Sequence, residues 1–450
     1  MTRDTVLERM TKDGIRYLLV QFVDIHGSPK VKMVPVESFD DVVDEGAGFA
    51  GGAVWGLGQN ASSHDLMARI DPTSYTPMSF QAGYARFASD LYVDDQPHPG
   101  CSRVNLKRML SQLHDRGLIF NVGVEPEHFL VLKDEQGHIH PFDPANIDTL
   151  SKPCYDFKSM SASRGYLEEM MDALNQLGWG AYQCDHEDAN GQYEINFKYS
   201  DALTTADRVV YFKMLASQIA KKYGAIVTFM AKPFGDRTGS GAHMHYHIAD
   251  ATGKNVFTDL DDKRKLGLSQ TAYYFLGGVL KHARALCAVC SPTVNCYKRI
   301  QIGQGLYSPR SGFTWTPAYI TYGDNNRTQM IRTPGPGHVE DRTVSSAFNP
   351  YLGFAAYLAA GLDGIQNQID PGEPNLGNMY AMSLQEMAEK NIRVLPQSLT
   401  EALDELERDE VVQSGLGAIY PEFLRLKRIE WNDYHRHVSE WEIDRYLTML

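Results

Sequence analysis

The stretch FNVGVEPEHFLVL, residues 120–132, predicts a strand that carries two glutamates. Glu125 and Glu127 are one residue apart, and alternate residues of a strand point to the same face. Taken alone, such a pair is more often a solvated strand edge. Apolar residues follow it here, however, and a buried glutamate is costly unless a cation or an arginine compensates its charge. The stretch therefore predicts a strand that presents two carboxylates to a cavity.

Three further clusters of acidic and histidine side chains occur along the chain. They are residues 187–194, which begin and end with glutamate, residues 243–245 (His-Met-His) and residues 340–342 (Glu-Asp-Arg). Carboxylate oxygens suit Mg²⁺ or Mn²⁺, whereas Zn²⁺ favours Cys and several His. Either of these histidines alone is more often a hydrogen-bonded strand residue than a ligand. Because glutamates dominate, the clusters together predict a site for divalent cations.

Four arginines lie in or beside segments rich in Gly, Pro and Asn, the usual context of binding loops: Arg299, Arg327, Arg332 and Arg342. A guanidinium group matches carboxylates and phosphates bidentately. Glutamates with metal on one side and arginines on the other suit transfer of a phosphoryl group to or from a carboxylate. An ordinary salt bridge is an equally good interpretation of each arginine taken singly.

The composition excludes several classes of protein. The chain has 450 residues with 43% hydrophobic content, more than a single core usually spans, so two domains are expected. A net charge of −13 opposes binding to nucleic acid or to an anionic membrane, and no apolar run of about 18 residues predicts a membrane span. Six scattered cysteines and a charged start predict a reducing, cytoplasmic location.

Local signals near the N-terminus predict a small β unit. Strands are predicted over 15–23 and 31–34, around a hairpin turn. The glycine-rich run over 46–53 lacks the features of a phosphate-binding loop, and we interpret it as a flexible turn. We place a domain boundary near Arg103, which gives domains of residues 1–103 and 104–450.

Helices and strands alternate beyond this boundary. Ser102 or Asn105 is expected to cap a helix over 106–113. Further strands are predicted over 120–132, 181–185, 194–199, 225–230 and 243–248, and helices over 163–177, 206–223 and 270–290, with a paired helical region over 399–450. This pattern predicts mixed α/β structure.

The chain resembles the glutamine synthetase family across almost its whole length. Six ordered motifs carry the resemblance: Val124-Glu125-Pro126-Glu127; Asp185-His186-Glu187 with Gly191-Gln192-Tyr193-Glu194; Lys232-Pro233 leading to residues 239–245; residues 295–299; Asn326-Arg327; and Asn349-Pro350-Tyr351-Leu352. The implied fold is α+β, with an N-terminal β-grasp domain and a larger catalytic α/β domain. Members form homo-oligomers, usually dodecamers of two hexameric rings, with each active site between neighbouring subunits.

The resemblance also implies a reaction and a cofactor. ATP phosphorylates the γ-carboxylate of glutamate, and a small amine attacks the acyl phosphate to give an amide, ADP and phosphate. Mg²⁺ or Mn²⁺ is the implied cofactor, with ATP as co-substrate. Two ions are implied, with Glu127, Glu187 and Glu194 as ligands of one, and Glu125, His243 and Glu340 as ligands of the other.

Substrate contacts are implied for a second group of residues. Arg299 and Arg342, with Gly239, resemble the residues that bind glutamate; Arg327 and Arg332 resemble phosphate clamps, and His245 lies at a nucleotide contact. The implied catalytic residues are Glu187, Arg299, Arg327 and Tyr155. Tyr155 and Glu187 would lie nearest the amine, and Glu187 would accept its proton.

Departures from the family pattern concern the amine and, at three positions, the contacts with ATP and glutamate. Members that use ammonia carry an aspartate in a stretch where this chain has Phe49-Ala50-Gly51-Gly52-Ala53. Loss of that carboxylate removes a charge that holds a small cation, and the alanines leave room for an alkyl group. The loop 311–317 stands where the family has a glutamate, and its Phe313 and Trp315 are candidates to close an amine pocket with Ala50 and Tyr155. His338, Thr238 and His247 also replace an expected arginine, asparagine and serine.

The segments 22–27, 46–51, 311–317 and 425–431 most resemble the branch of the family that couples glutamate to methylamine. We therefore expect an ATP-dependent ligase that forms γ-glutamylmethylamide. Use of ammonia is the alternative within the same chemistry. A metal-dependent hydrolase, suggested by the two histidines of residues 243–245, and a catalytically silent ring protein are alternatives from other classes.

Overall fold

The structure, a computed structural model, describes residues 2–143, 148–302, 307–308 and 310–449. Its N-terminal part contains two helices and seven strands. They are α1 (Arg3–Lys12), β1 (Tyr17–Val23), β2 (Pro29–Pro35), α2 (Phe39–Asp44), β3 (Ala47–Phe49), β4 (Leu66–Ile70), β5 (Thr76–Pro77), β6 (Tyr84–Val93) and β7 (Gln96–Pro97). The strands form one sheet in the order β2-β1-β6-β4-β3, with β5 and β7 also paired to β6.

The rest of the described chain alternates strands and helices. Its strands are β8 (Leu118–Lys133), β9 (Ile139–Pro141), β10 (Ala181–His186), β11 (Gln192–Phe197), β12 (Ser200–Asp201), β13 (Ile226–Thr228), β14 (Ala242–Asp250), β15 (Tyr307–Ser308), β16 (Gly312–Phe313), β17 (Tyr319–Ile320), β18 (Tyr322–Gly323), β19 (Ile331–Gly335), β20 (His338–Asp341) and β21 (Arg393–Val394). Its helices are α3 (Ser102–His114), α4 (Phe157–Ser161), α5 (Arg164–Gln176), α6 (Ala202–Lys222), α7 (Gln270–Cys290), α8 (Pro350–Gln366), α9 (Leu384–Glu389), α10 (Leu399–Leu406), α11 (Glu410–Leu416), α12 (Tyr420–Arg436) and α13 (Glu440–Tyr446). The predicted mixed α/β structure is confirmed.

A ten-stranded sheet organises this larger part. Its main order is β10-β11-β8-β14-β20-β19-β18, and β9, β12 and β13 also pair with β8. The strand predicted from residues 120–132 is therefore the centre of the sheet and bonds to neighbours along its whole length. Helices α3, α6, α7 and α8 contribute buried apolar residues to the largest core cluster, which also includes residues of β8 and β14.

Helices α7 and α8 cross at small residues. A Cβ atom added to Gly278 would collide with the Ala360 carbonyl oxygen and with the backbone of Gly364. Interiors are packed at crystal-like density, so such a crossing tolerates no larger side chain without a backbone shift. Both helices are apolar on nearly every face because both are buried, and Ser269 and Asn349 cap their N-termini.

Arg103 joins the two parts of the molecule. Its buried guanidinium donates to Asp207 of α6 at 2.9 and 3.0 Å, to Asp90 of β6 at 2.8 Å and to Asp71, which follows β4, at 2.8 Å. Asn349 makes a second link, since its side-chain amide donates to the carbonyl oxygen of Ile25 in the N-terminal hairpin turn at 3.2 Å.

The predicted cap of the helix near residue 106 is wrong. Helix α3 begins earlier, at Ser102, and its N-cap residue is Cys101, which makes no side-chain cap hydrogen bond. Ser102 and Asn105 instead make tertiary contacts, to Asn349 at 3.1 Å and to the Gly415 carbonyl at 2.8 Å. Both polar side chains are buried, and burial requires that they find partners in other elements. No helix in the described part of the chain is both long and apolar enough to cross a lipid bilayer.

Candidate active site

The register of the larger sheet brings the predicted acidic clusters together. Three cross-strand pairs carry them: Glu125 of β8 with His243 of β14, Glu127 of β8 with Glu194 of β11, and His245 of β14 with Glu340 of β20. Opposite residues of paired strands share a face, with Cβ atoms about 4.5–5.5 Å apart. Since residues two apart on a strand also share a face, all six side chains belong to one face of the sheet.

A cavity of about 580 Å³ lies against this face. It is lined by most of the residues that the sequence predicts for the site: Glu125, Glu127, Glu187, Glu194, His243, Arg299, Arg327, Arg332, Arg342, Gly239, Tyr155 and Trp315. His245 and Glu340 lie directly beside the cavity, because His245 Nε2 is 3.0 Å from Glu125 Oε1 and Arg342 Nη1 is 2.9 Å from Glu340 Oε1. The structure thus gathers two kinds of charge, carboxylates and guanidinium groups, in one cavity.

Among the described residues, three groups have ligand atoms within 4.8 Å of one another: Glu125, Glu194 and His243; Glu125, His245 and Glu340; and Cys154, Glu187 and Asp188. In this grouping Glu194 lies near Glu125 and His243. The resemblance instead assigns Glu194 to the same ion as Glu127 and Glu187. The division of six ligands between two ions therefore stays a prediction. The donor sets are dominated by carboxylate oxygen, which fits Mg²⁺ or Mn²⁺.

Glu187 and Glu194 lie where carboxylates repel one another. Burial raises the pKa of both side chains well above the usual range, and the charge of Glu127 raises each further. A divalent cation between these carboxylates would offset the repulsion and favour their ionised forms. The electrostatics of this side of the cavity therefore fit a bound cation.

Glu125 has the opposite environment. Burial raises its pKa, but hydrogen bonds with His243 and His245 outweigh burial and hold the pKa well below its usual range. His243 Nδ1 lies 3.3 Å from Glu125 Oε2, and Gln192 Nε2 donates to the neighbouring Glu127 at 3.1 Å. Glu125 is therefore an ionised carboxylate that faces histidines on its own sheet.

Glu340 is fully buried, with arginines on both sides of its carboxylate. Burial raises its pKa, but the charges of Arg342 and His245 outweigh burial and bring the pKa to about 2. Arg342 contacts Glu340 Oε1, and Arg332 contacts Glu340 Oε2. His338, which stands where the family has an arginine, contacts His245 through ring nitrogens 2.7 Å apart.

Arg299 is fixed in orientation by backbone carbonyl groups. Its Nη2 donates to the Arg342 carbonyl at 2.9 Å and its Nη1 to the Thr343 carbonyl at 3.2 Å. Gly239 packs beside it, and an added Cβ there would collide with the Ala231 carbonyl oxygen. Arg327, by contrast, is exposed where it lines the cavity. Arg299 is thus held in place before a ligand binds, whereas the exposed Arg327 can reach toward one.

The predicted amine pocket is only partly assembled within one chain. Tyr155 and Trp315 line the cavity, whereas Ala50 is exposed on the N-terminal part and does not line it. Both aromatic residues have left-handed backbone conformations, with φ of 61° at Tyr155 and 49° at Trp315. Such conformations are rare for bulky side chains and often occur at functional sites. The side chain of Phe313 lies outside the described residues.

Several residues of the cavity wall were not predicted from the sequence: Cys154, Tyr182, Gln183, Asp185, Asp188, Asn196 and Thr314. Asn196 donates to Glu194 Oε1 at 2.9 Å. Its position two residues after Glu194 on the same strand is a signal that could have identified it. Burial and the charge of Glu127 raise the pKa of Asp188 to about 6, although hydrogen bonds from Trp315 and Cys154 oppose the rise.

Comparison with known proteins adds to this geometry. Residues 99–446 match the family model described as glutamine synthetase, catalytic domain. A glutamate–methylamine ligase from Methyloversatilis universalis is 49% identical over 442 residues, 98% of each chain, and a glutamine synthetase from Rhizobium leguminosarum bv. phaseoli is 41% identical over 440 residues, 97% of each. A solved complex of GmaS with ADP superposes with a TM-score of 0.91 at 41% identity, covering 98% of this chain and 99% of that one.

Proposed function

This chain belongs to the glutamine synthetase family, and we propose that it joins the γ-carboxylate of glutamate to methylamine at the expense of ATP. The reaction passes through γ-glutamyl phosphate and gives γ-glutamylmethylamide, ADP and phosphate. The observation that carries the proposal is the meeting of five of the six predicted metal ligands and all four predicted arginines in one cavity. The similarity to a glutamate–methylamine ligase favours methylamine over ammonia.

Phosphoryl transfer to a carboxylate requires that negative charge be neutralised on both reactants. Glu125, Glu127, Glu187, Glu194, His243 and Glu340 are the residues that would hold the divalent cations. These cations, when bound, neutralise phosphate oxygens and polarise the transferred group. Arg327 and Arg332 would bind the phosphate groups, with His245 at the nucleotide.

Glutamate needs a second set of contacts. Arg299 and Arg342 would bind its carboxylate, and Gly239 would leave room for the ligand against the backbone. Arg299 suits this role because carbonyl groups hold its guanidinium plane before any ligand arrives. Glu187 would then accept the proton that the amine loses when it attacks the acyl phosphate.

We infer that a second copy of the chain completes the site. Ala50 is predicted to face the amine but does not line the cavity of its own chain, which fits an active site shared between neighbours. We further propose that residues 1–103 form a β-grasp domain, that the assembly is a dodecamer of two hexameric rings, and that the cation is Mg²⁺ or Mn²⁺. We place the protein in the cytoplasm, where its six free cysteines would remain reduced.

The proposal is tested with purified protein, glutamate, ATP and Mg²⁺. Phosphate release is measured while methylamine and ammonia are each brought to saturation, and mass spectrometry identifies the amide. We expect a higher kcat/KM for methylamine, and a much higher value for ammonia would reject that substrate. Calorimetry with an ATP analogue separates the ligase from a metal-dependent hydrolase, because a hydrolase predicts no Mg²⁺-dependent nucleotide binding.

A further inference from the structure

A second cavity, of about 920 Å³, adjoins the active cavity through two short segments of the chain. In one segment Arg237 lines the second cavity, while Thr238 and Gly239 line the active cavity. In the other segment Asn190 lines the second cavity, while Glu187 lines the active cavity. The proposed reaction gives the second cavity no role.

Arg237 is a buried arginine, only 8% exposed, that lines this second cavity. Its Nε and Nη1 atoms are buried and donate to no atom of the described residues. Asp236 Oδ1 lies 3.6 Å from Arg237 Nε, beyond hydrogen-bond distance, and the same carboxylate contacts Arg310 Nε at 3.0 Å. Buried polar groups in folded proteins are nearly always hydrogen-bonded, so two unused donors on one guanidinium group call for an acceptor from outside the chain.

The guanidinium group of Arg237 is held in position by its surroundings. Its Cζ atom lies 4.7 Å from the centroid of the Phe234 ring, over the ring face. Lys232 Nζ donates to the Arg237 carbonyl oxygen, and the next backbone amide, that of Thr238, donates to Ser311 Oγ at 2.8 Å. A group that is already ordered loses little conformational entropy when a ligand binds.

The walls of the second cavity indicate the chemistry of the ligand. A guanidinium group binds a carboxylate or a phosphate through paired hydrogen bonds. Asp134 and Asp143 also line the cavity, and they would repel a multiply charged phosphate more strongly than a single carboxylate. Leu132 and Leu150 are further lining residues that can contact a short hydrocarbon chain. These walls favour a small carboxylate.

We propose that the second cavity binds a small carboxylate through Arg237. The inference goes beyond the proposed function, because it assigns a ligand site outside the active cavity. Two sources share this chemistry: glutamate on its way to the active cavity, and a separate carboxylate effector. In either case the bound ligand would hold the segment that carries Gly239, which is proposed to lie beside glutamate.

The test measures binding of para-fluorobenzoate to the whole protein by fluorine NMR, which requires no turnover. We expect Arg237→Gln to raise the Kd about tenfold or more, because hydrogen bonds to a charged group are lost. Arg310→Gln, at an exposed arginine of the same cavity, is the matched control and should raise the Kd less than about threefold. The alcohol para-fluorobenzyl alcohol lacks the carboxylate and should bind all three proteins equally weakly.

Addition of glutamate distinguishes the two sources, and either result supports the site. Probe bound in the active cavity does not depend on Arg237, so the difference between the unmodified protein and Arg237→Gln isolates the second cavity. Displacement of this Arg237-dependent probe by glutamate identifies the substrate as the ligand. Retention of the probe at saturating glutamate identifies a separate carboxylate.

Arg237→Lys completes the design, because lysine keeps the charge but lacks the planar fork of arginine. Its Kd should lie between those of the unmodified protein and Arg237→Gln, and this comparison remains informative if Arg237→Gln folds poorly. An unchanged Kd in Arg237→Gln would overturn the inference. Equal losses in Arg237→Gln and Arg310→Gln, or equal affinity for the benzoate and the alcohol, would overturn it as well.

Discussion

Glu194 is a buried residue whose environment lowers the stability of the metal-free protein when its side chain is ionised. It is buried, and three other glutamates raise its pKa by repulsion in addition to burial. A group whose ionised form is disfavoured in the folded state destabilises that state when it must be ionised. A divalent cation bound beside Glu194 would offset this cost.

We expect Glu194→Gln to raise the melting temperature of the metal-free protein, because the substitution removes a buried acid whose ionisation the folded state disfavours. The same variant should lose most of the stabilisation that Mg²⁺ gives the unmodified protein, and its activity should fall roughly 100-fold or more, as for a disrupted metal site. Thermal melts with EDTA and with Mg²⁺ measure the first two effects. Glu168→Gln, on the exposed surface of α5, is the control and should behave as the unmodified protein.

The crossing of α7 and α8 is the tightest contact between elements described above. Gly278→Ala places a methyl group against the Ala360 carbonyl and the backbone of Gly364. We expect the free energy of unfolding to fall by about 1–3 kcal/mol, the range for overpacked cores. Denaturant titration measures it. Gly235→Ala is the matched control, since an added Cβ there meets nothing within 4 Å; an equal loss in both variants would contradict the packing argument.

His282 links three helical segments through two carboxylates. Its Nδ1 lies 2.6 Å from Asp409, the N-cap residue of α11, and its Nε2 lies 2.9 Å from Asp363 of α8. Burial lowers the pKa of His282, but hydrogen bonds with Asp409 and Asp363 outweigh burial and raise it. The protonated imidazole therefore stabilises the folded state.

This link predicts how stability depends on pH. A pKa raised on folding gives a contribution that is complete below the ordinary value of about 6.5 and is lost as the pH rises through the raised pKa. We expect the free energy of unfolding to decline with rising pH in that window, and His282→Gln to remove part of the decline. Denaturant titrations at a series of pH values measure it. His114→Gln, at an exposed histidine of α3, should follow the unmodified protein, and a flat profile in all three would refute the prediction.

Strand spacing predicted that the two glutamates of β8 share a face, as do the histidines of β14, and the sheet register confirms this. The dominance of glutamate among the clustered residues is what predicted a divalent-cation site. The sequence contains no signal for register, so the pairing of Glu127 with Glu194 became visible only in the sheet. The cap prediction for α3 failed for a related reason. Local preference placed Ser102 and Asn105 at the helix start, whereas burial against distant elements determines what they bind. Asp188 was not predicted from the sequence as a cavity residue, because the motif that includes Glu187 assigns a role to Glu187 alone.

At the scale of the proposed ring assembly, the exposed position of Ala50 leads to a complementation test. Ala50→Trp should block the amine site of a neighbour but leave its own cavity intact, and Glu194→Gln should do the reverse. Each variant alone should be inactive. Co-expression should restore roughly a quarter of the activity, as random pairing around a ring predicts. Mass spectrometry of intact rings confirms that mixed assemblies form, and mixed rings without activity would contradict a shared site.

Arg103 lies at the predicted domain boundary and binds carboxylates on both sides of it. Two of its carboxylate partners come from the N-terminal part and one from α6. Removal of one member of a buried ion cluster leaves the others uncompensated in a medium that solvates charge poorly. Cutting the chain at this point would leave Asp207 without its buried guanidinium partner, so we expect residues 104–450 expressed alone to be less stable than the same residues in the whole chain.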